Sequence, residues 1–275
     1  MLILFIADTS AVQDAQRQVP VRIGITPVFL DYQTAFLDDW REYLESQLQR
    51  PVEFRQRSTY REIMEMLMQE ELDFAWICGY PFVRFRESLR LLAVPIYQGQ
   101  PLYQSYLIVP ESDTDTQSIL GLRNKVFAYS DPDSNSGYLV PQFQLHVSGE
   151  DRNNFFRRSF FTWAHQKVVE AVAHGVADGG AVDGYVWDTL AKVNPALTSR
   201  TRVVMKSEKF GFPPLVARRN VDNGAFQKVQ EVLTDMTNDA TGSDLLERLN
   251  LDGFGRGNVR LFDGIAVLAE TIPAP

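Results

Sequence analysis

Apolar positions in the first third of the chain switch between a strand period and a helix period. Residues 21–26 form a short β-prone run closed by Pro27. Phe36, Leu37, Trp40, Tyr43, Leu44 and Leu48 then recur at helical spacing, which predicts an amphipathic helix over 32–49, stopped by Pro51. Residues 52–57 read as a second strand. Thr59 and Glu62 stand at capping-box spacing ahead of Ile63, Met64, Leu67 and Met68, so a second helix begins there with its apolar face defined. Residues 74–78 make a third strand. Strand, helix, strand, helix, strand predicts a parallel sheet covered by helices, with ligands bound beyond the carboxyl ends of the strands.

The middle of the chain repeats this grammar. Residues 91–97 and 103–110 read as strands, and 111–117 is a polar break. Residues 126–129 are an apolar run broken by Asp131-Pro132, after which Ser134-Asn135-Ser136-Gly137 leads into a helix-compatible segment beginning near Tyr138. A polar stretch, 146–154, and an aromatic one, 155–163, precede His165. His165 starts a helix whose Val168, Val169, Ala171 and Val172 share a face, with Gly175 as its C-cap. Gly179-Gly180-Ala181-Val182 is a small-residue strand ending at Asp183. Residues 202–205 and 215–217 read as strands returning to the first lobe, and Phe226, Val229, Leu233 and Met236 mark a helix packed on it. Beyond 245 a short helix mixes with glycine-rich turns whose role is not legible. The expectation is an α/β chain with two lobes, 21–107 plus 203–275 and 108–202, because the mid-chain block carries its own strand–loop–helix units.

Composition narrows the function. With 275 residues and 45% hydrophobic positions the chain can build a sizeable core. A formal net charge of -8 opposes nucleic acid and anionic lipid as partners, so an anionic ligand would need a local site that overcomes the general field. The single cysteine, Cys78, excludes an intramolecular disulfide and reads as a small buried apolar residue; His146, His165 and His174 show no zinc spacing. Residues 1–20 are signal-like or disordered: Met1 to Ala7 has the apolar character of an export signal without its positively charged start. No other segment is apolar for long enough to cross a bilayer.

Candidate chemistry gathers after the strands. Free backbone N–H groups at a helix start, with the Ser134 and Ser136 hydroxyls and the Asn135 amide, make a donor nest suited to a small oxyanion; an ordinary N-cap accounts for the same residues. Tyr60 follows the second strand and Tyr80 the third, and their phenols can donate to an anion or simply pack. His165 offers a donor at a helix start, or is structural. Asp183, at a strand's carboxyl end, can orient a donor, accept a proton from a protonated oxyanion, or cap the turn through Gly184. No nucleophile–base pair, metal cluster or phosphate loop is visible, so the reading is a binding protein rather than an enzyme, with no cofactor and no metal.

Thr59-Tyr60, Leu72-Asp73-Phe74-Ala75-Trp76, the run from Ser130 to Pro141, His165 with Val168 to Val172, and Ala177 to Asp183 occur in the order found in the phosphate/phosphite/phosphonate-binding proteins of ABC transporters. The chain resembles that family over 21–236. The resemblance implies a two-lobed periplasmic binding protein of type II architecture whose cleft closes on a small phosphorus oxyanion. By matched position, Ser134, Asn135 and Ser136 would bind the ligand oxygens, with His165, Asp183 and Tyr60 completing the site. It also implies a periplasmic or extracytoplasmic location and a permease partner, or, as the alternative, a sensing module that signals through the same cleft to a membrane sensor kinase. The chain departs from the family's pattern at two places. Asn135 stands where threonine is usual, and Cys78-Gly79-Tyr80 stands where a small residue, glycine and proline are usual, so Tyr80 is expected to reshape the pocket.

Overall fold

A computed structural model describes residues 19–26 and 34–272. The signal-like stretch 1–18 and the expected helix start at 32–33 lie outside the described residues. Eleven strands form two sheets among them. In the first half of the chain come β1 (Val21–Ile25), α1 (Thr34–Leu48), β2 (Val52–Gln56), α2 (Tyr60–Met68), β3 (Phe74–Trp76), α3 (Gly79–Arg84), β4 (Leu89–Ile96), β5 (Leu102–Pro110) and β6 (Val126–Tyr129). There follow a π-helical turn at Asn135–Leu139, α4 (Val140–Val147), β7 (Arg158–Phe161), α5 (His165–Ala173), β8 (Gly179–Asp183), α6 (Gly184–Val193), α7 (Pro195–Thr198) and β9 (Thr201–Gly211). The last elements are β10 (Leu215–Arg218), α8 (Asn223–Thr234), α9 (Ala240–Arg248), β11 (Gly253–Gly255) and α10 (Asp263–Thr271).

The six-stranded sheet has the order β11-β4-β10-β3-β1-β2 and the five-stranded sheet β7-β6-β8-β5-β9. β2, β1 and β3 run parallel, as do β7, β6 and β8. Each sheet therefore presents the carboxyl ends of three parallel strands on one side, where loops can gather a ligand. Burial follows the predicted faces: Phe36, Leu37, Trp40, Tyr43, Leu44 and Leu48 are all buried, with Trp40 packed edge-on to Trp76 at 5.9 Å. The capping box is formed as well. The Thr59 hydroxyl accepts from the Glu62 N–H at 3.2 Å, and the Glu62 carboxylate accepts the Thr59 N–H at 3.0 Å.

Sheet membership differs from the expected division. A boundary between 107 and 108 would cut β5, and one between 202 and 203 would cut β9, yet both strands lie whole in the five-stranded sheet, paired to each other. The run 202–205 therefore does not return to the first sheet; only β10 does. The crossings are short. One is the tight turn after β4, where Gln98 (φ +51°) and Gly99 (φ +73°) reverse the chain, and the other is Phe212-Pro213-Pro214. Phe212 donates its N–H to Pro101 O at 3.0 Å, so the two crossings lie side by side, and Pro213 and Pro214 limit the backbone there. The C-terminal segment, illegible in the sequence, adds β11 to the first sheet's edge. It also sets α10 under α3, where Phe82 meets Phe262 at 4.7 Å and Ile265 lies against Gly79.

Candidate functional site

Five elements bring their ends together between the sheets. Tyr60 opens α2 after β2, Cys78 precedes α3 after β3, Ser134 to Gly137 follow β6, His165 opens α5 after β7, and Asp183 ends β8. Tyr60, Ser134, Asn135, Ser136, His165 and Asp183 are each no more than 1% exposed. Polar side chains are sealed so completely only where partners or a ligand compensate them.

The loop after β6 is wound rather than simply capped. Asp131 Oδ1 accepts the Asp133 N–H at 2.7 Å, the Asp131 carbonyl accepts the Ser134 N–H at 3.0 Å, and the Ser134 hydroxyl accepts the Gly137 N–H at 3.0 Å. Ser134 thus performs the N-cap role. The helix predicted near Tyr138 starts as a π-helical turn at Asn135 instead, whose wide pitch frees backbone groups as π turns at functional sites commonly do. A β-carbon at Gly137 would run into the Ser130 hydroxyl and lie 2.7 Å from Ser130 Cβ, so only glycine lets the turn close over Ser130.

Contacts from the first sheet's side hold this loop. The Tyr60 N–H donates to Asp131 Oδ2 at 3.2 Å, the Cys78 thiol accepts the Asn135 N–H at 3.2 Å, and Arg84 pairs with Asp133 at 2.6 Å. From the second sheet, Tyr103 in β5 accepts the Asn135 Nδ2 hydrogen at 2.9 Å, and Ser105 donates its hydroxyl to the Ser136 carbonyl at 2.6 Å. Three side-chain atoms of the loop nonetheless have no hydrogen-bond partner although buried: Ser130 Oγ, Asn135 Oδ1 and Ser136 Oγ. The Tyr103 phenol of the second sheet is the neighbour of Ser136 Oγ.

Burial sets the protonation of the surrounding groups. His165 Nδ1 accepts the Asp183 backbone N–H at 3.1 Å, so that nitrogen is bare and the neutral ring carries its hydrogen on Nε2. Burial also pushes the imidazole down to about 3, which keeps it neutral. Asp183 is pushed up to about 8, first by burial and further by Asp188, against the hydrogen bonds it receives from the Tyr185 and Val186 N–H groups. It is therefore protonated near neutrality. Burial pushes the Cys78 thiol up to about 12 and the Tyr60 phenol well above its usual value, with Cys78, Asp131, Asp183 and Tyr103 as electrostatic neighbours of Tyr60. The result is a cluster of neutral donors, the kind of setting that can hold an anion without a fixed positive charge.

Not every candidate joins the cluster. Tyr80 is half-buried rather than sealed, with the Arg84 guanidinium 5.5 Å from its ring centre and Tyr138 as a neighbour. Cys78, read from the sequence as plain core, sits inside the cluster with Tyr103, Ser105, Ser130 and Asp131. The rule that selected Tyr60, position after a parallel strand, applies equally to Cys78; Tyr103 and Ser105 lie in an antiparallel strand and carry no such mark. Trp163, two residues before His165, has a left-handed backbone (φ +65°) and donates its N–H to Ser130 O at 2.6 Å. That strained residue steers the chain into the cluster.

Residues 23–260 match the model of the family described as the periplasmic substrate-binding protein of phosphonate ABC transporters. The chain belongs to this family. A curated relative named a probable ABC transporter phosphite-binding protein, from Prochlorococcus marinus, is 23% identical over 56% of this chain and 54% of its own length, so the chain matches about half of that relative. A binding-protein component of an ABC phosphonate transporter from Pseudomonas aeruginosa superposes with a TM-score of 0.84 at 21% identity, covering 92% of this chain and 86% of that one. A Prochlorococcus marinus structure holding methylphosphonate superposes with a TM-score of 0.82 at 20% identity, over 91% and 97% of the two chains. The fold is accordingly the two-lobed α/β architecture of type II periplasmic binding proteins, with the ligand cleft between the lobes. Family members are the extracytoplasmic binding components of ABC transporters. Among the described residues no helix is long and apolar enough to cross a membrane.

Proposed function

We propose that this chain captures a small phosphorus oxyanion, a phosphonate, phosphite or phosphate, outside the cytoplasm and presents it to the permease of an ABC transporter. The observation that carries the reading is the trio of buried, unpartnered polar atoms in one turn, Ser130 Oγ, Asn135 Oδ1 and Ser136 Oγ. An unsatisfied buried polar group costs roughly 1–3 kcal/mol, so three together call for a polar ligand. Family membership supports a phosphorus oxyanion as that ligand; in this reading Ser134, Asn135 and Ser136 meet it from one side and Tyr60 from the other, with His165 and Asp183 completing the site.

The chemistry is binding, not turnover. The His165 nitrogen that could act as a base already accepts the Asp183 N–H, which leaves it unable to activate a nucleophile. Titration calorimetry of the purified chain with methylphosphonate, phosphite, phosphate and sulfate tests the proposal. Saturable one-to-one binding of at least one phosphorus oxyanion is expected. Heats no larger than dilution for all three would overturn it.

A further inference from the structure

Resting on that proposed function, the inference concerns which protonation state of the ligand the cleft accepts, and it starts from Asn135, whose buried amide oxygen has no partner. Asn135 is fully buried, and its amide is oriented: Nδ2 donates to the Tyr103 phenol oxygen at 2.9 Å, which leaves Oδ1 turned the other way without a donor. Its backbone N–H is also engaged, by the Cys78 thiol. The groups gathered around the turn are donors: the Ser136 hydroxyl, the Nε2–H of a neutral His165, and the carboxyl of Asp183, protonated below about 8. Asp183 Oδ1 accepts the Tyr185 N–H at 2.9 Å. An amide oxygen can only accept. A ligand whose oxygens all accept would leave it buried and unpaired, whereas a ligand with one P–OH would satisfy it.

We propose that Asn135 Oδ1 accepts the hydroxyl hydrogen of a protonated phosphorus oxyanion, so that the cleft selects a hydroxyl-bearing monoanion and rejects an anion of the same shape and charge that has no proton. Methanesulfonate is the matching probe for hydrogen methylphosphonate: each has one methyl group, three oxygens and a single negative charge, and only the phosphonate carries a hydroxyl. A site built to bond a ligand hydroxyl discriminates strongly against the analogue that lacks it, because its own polar group is left unpaired.

The test is a pair of calorimetric titrations, methylphosphonate and methanesulfonate, at about pH 5, roughly a unit below a second ionisation near 6, where the phosphonate is chiefly the monoanion. Wild type is expected to favour methylphosphonate by about tenfold or more. Asn135→Thr places a hydroxyl that can donate as well as accept, and is expected to narrow that ratio by about tenfold, mainly by improving methanesulfonate binding. Equal affinities in wild type would overturn the proposal, since that is the result of an amide presenting its NH2 group to the ligand. So would an unchanged ratio in a folded Asn135→Thr protein; if that variant does not fold, the wild-type ratio decides. Failure of wild type to bind methylphosphonate, phosphite or phosphate at all is the separate outcome that removes the proposed function and this inference with it.

Discussion

His165 Nδ1 accepts the backbone N–H of Asp183 at 3.1 Å, a contact that ties the first residue of α5 to the last residue of β8 and fixes the ring's hydrogen on Nε2. The donor that a bound anion would meet is therefore set by a backbone group of the neighbouring strand. His165→Ala removes it. Affinity for the oxyanion should fall by about ten- to a hundredfold, the value of a hydrogen bond to a charged group, as read by calorimetry at neutral pH.

The same ring predicts an acid limb of stability. Folded His165 titrates at about 3, and in the unfolded chain it titrates near about 6.5, so between those values the unfolded chain binds the extra proton. Stability is lost as pH falls through that window. Because Asp183 acts in the opposite sense over the same range, the readout is a difference: from pH ~7 to ~5 the urea midpoint of wild type should fall relative to that of His165→Ala; parallel curves would remove His165 as the cause.

Asp183 works in the opposite direction. Its folded value of about 8 lies above the ordinary carboxylate value, so its contribution to stability is present at low pH and is lost as pH rises from about 4 to about 8. Asp183→Asn keeps a side chain able to cap the Tyr185 N–H. The variant should therefore gain on wild type, at up to roughly 1.4 kcal/mol per pH unit across that window, in urea unfolding of the ligand-free proteins. A constant difference between the two would contradict a buried, protonated Asp183.

Gly137→Ala forces a β-carbon against Ser130 and the His165 ring, whose Cε1 would lie 3.2 Å away. Ser130 is buried and cannot withdraw to solvent. The expected cost is about 1–3 kcal/mol in chemical unfolding, together with loss of oxyanion binding because the turn must shift. A variant with wild-type stability and affinity would show that the approach of the two segments is slack.

Closure joins groups from both sheets. The Tyr60 N–H meets Asp131 and the Cys78 thiol meets the Asn135 N–H, so a ligand touching Tyr60 and Ser136 gains contacts only when the lobes are together. Small-angle scattering should show wild type becoming more compact with saturating ligand. Ser136→Ala should lose affinity and compaction together, and Tyr60→Phe should lose part of the closure.

Much of this was legible from periodicity. The helix face from Phe36 to Leu48 and the strand–helix alternation gave the parallel half of the first sheet, because apolar period and capping chemistry act locally; in the second sheet β7 is masked by the aromatic run around it. The antiparallel strands were harder. The unbroken apolar run Leu107-Ile108-Val109 hides the fact that β5 belongs wholly to the second sheet, and the decisive marks, Gln98-Gly99 and Pro213-Pro214, lie outside the strands. Position after a strand singles out Tyr60, the Ser134 turn and Asp183, and a helix start singles out His165; the fold gathers these four in one place. Tyr103 and Ser105 reach the turn through sheet pairing between distant segments, which no local pattern encodes. Position alone cannot tell a sealed phenol such as Tyr60 from the half-buried Tyr80, whose ring meets the Arg84 guanidinium.

The most direct measurement is a crystal structure of the chain grown with methylphosphonate. Phosphorus-bound oxygens are expected within hydrogen-bond distance of Ser136 Oγ, His165 Nε2 and the Tyr60 phenol, with the P–OH oxygen against Asn135 Oδ1. A ligand bound elsewhere, or a phosphonate in the cleft that leaves Ser136 Oγ unpartnered, would contradict that arrangement.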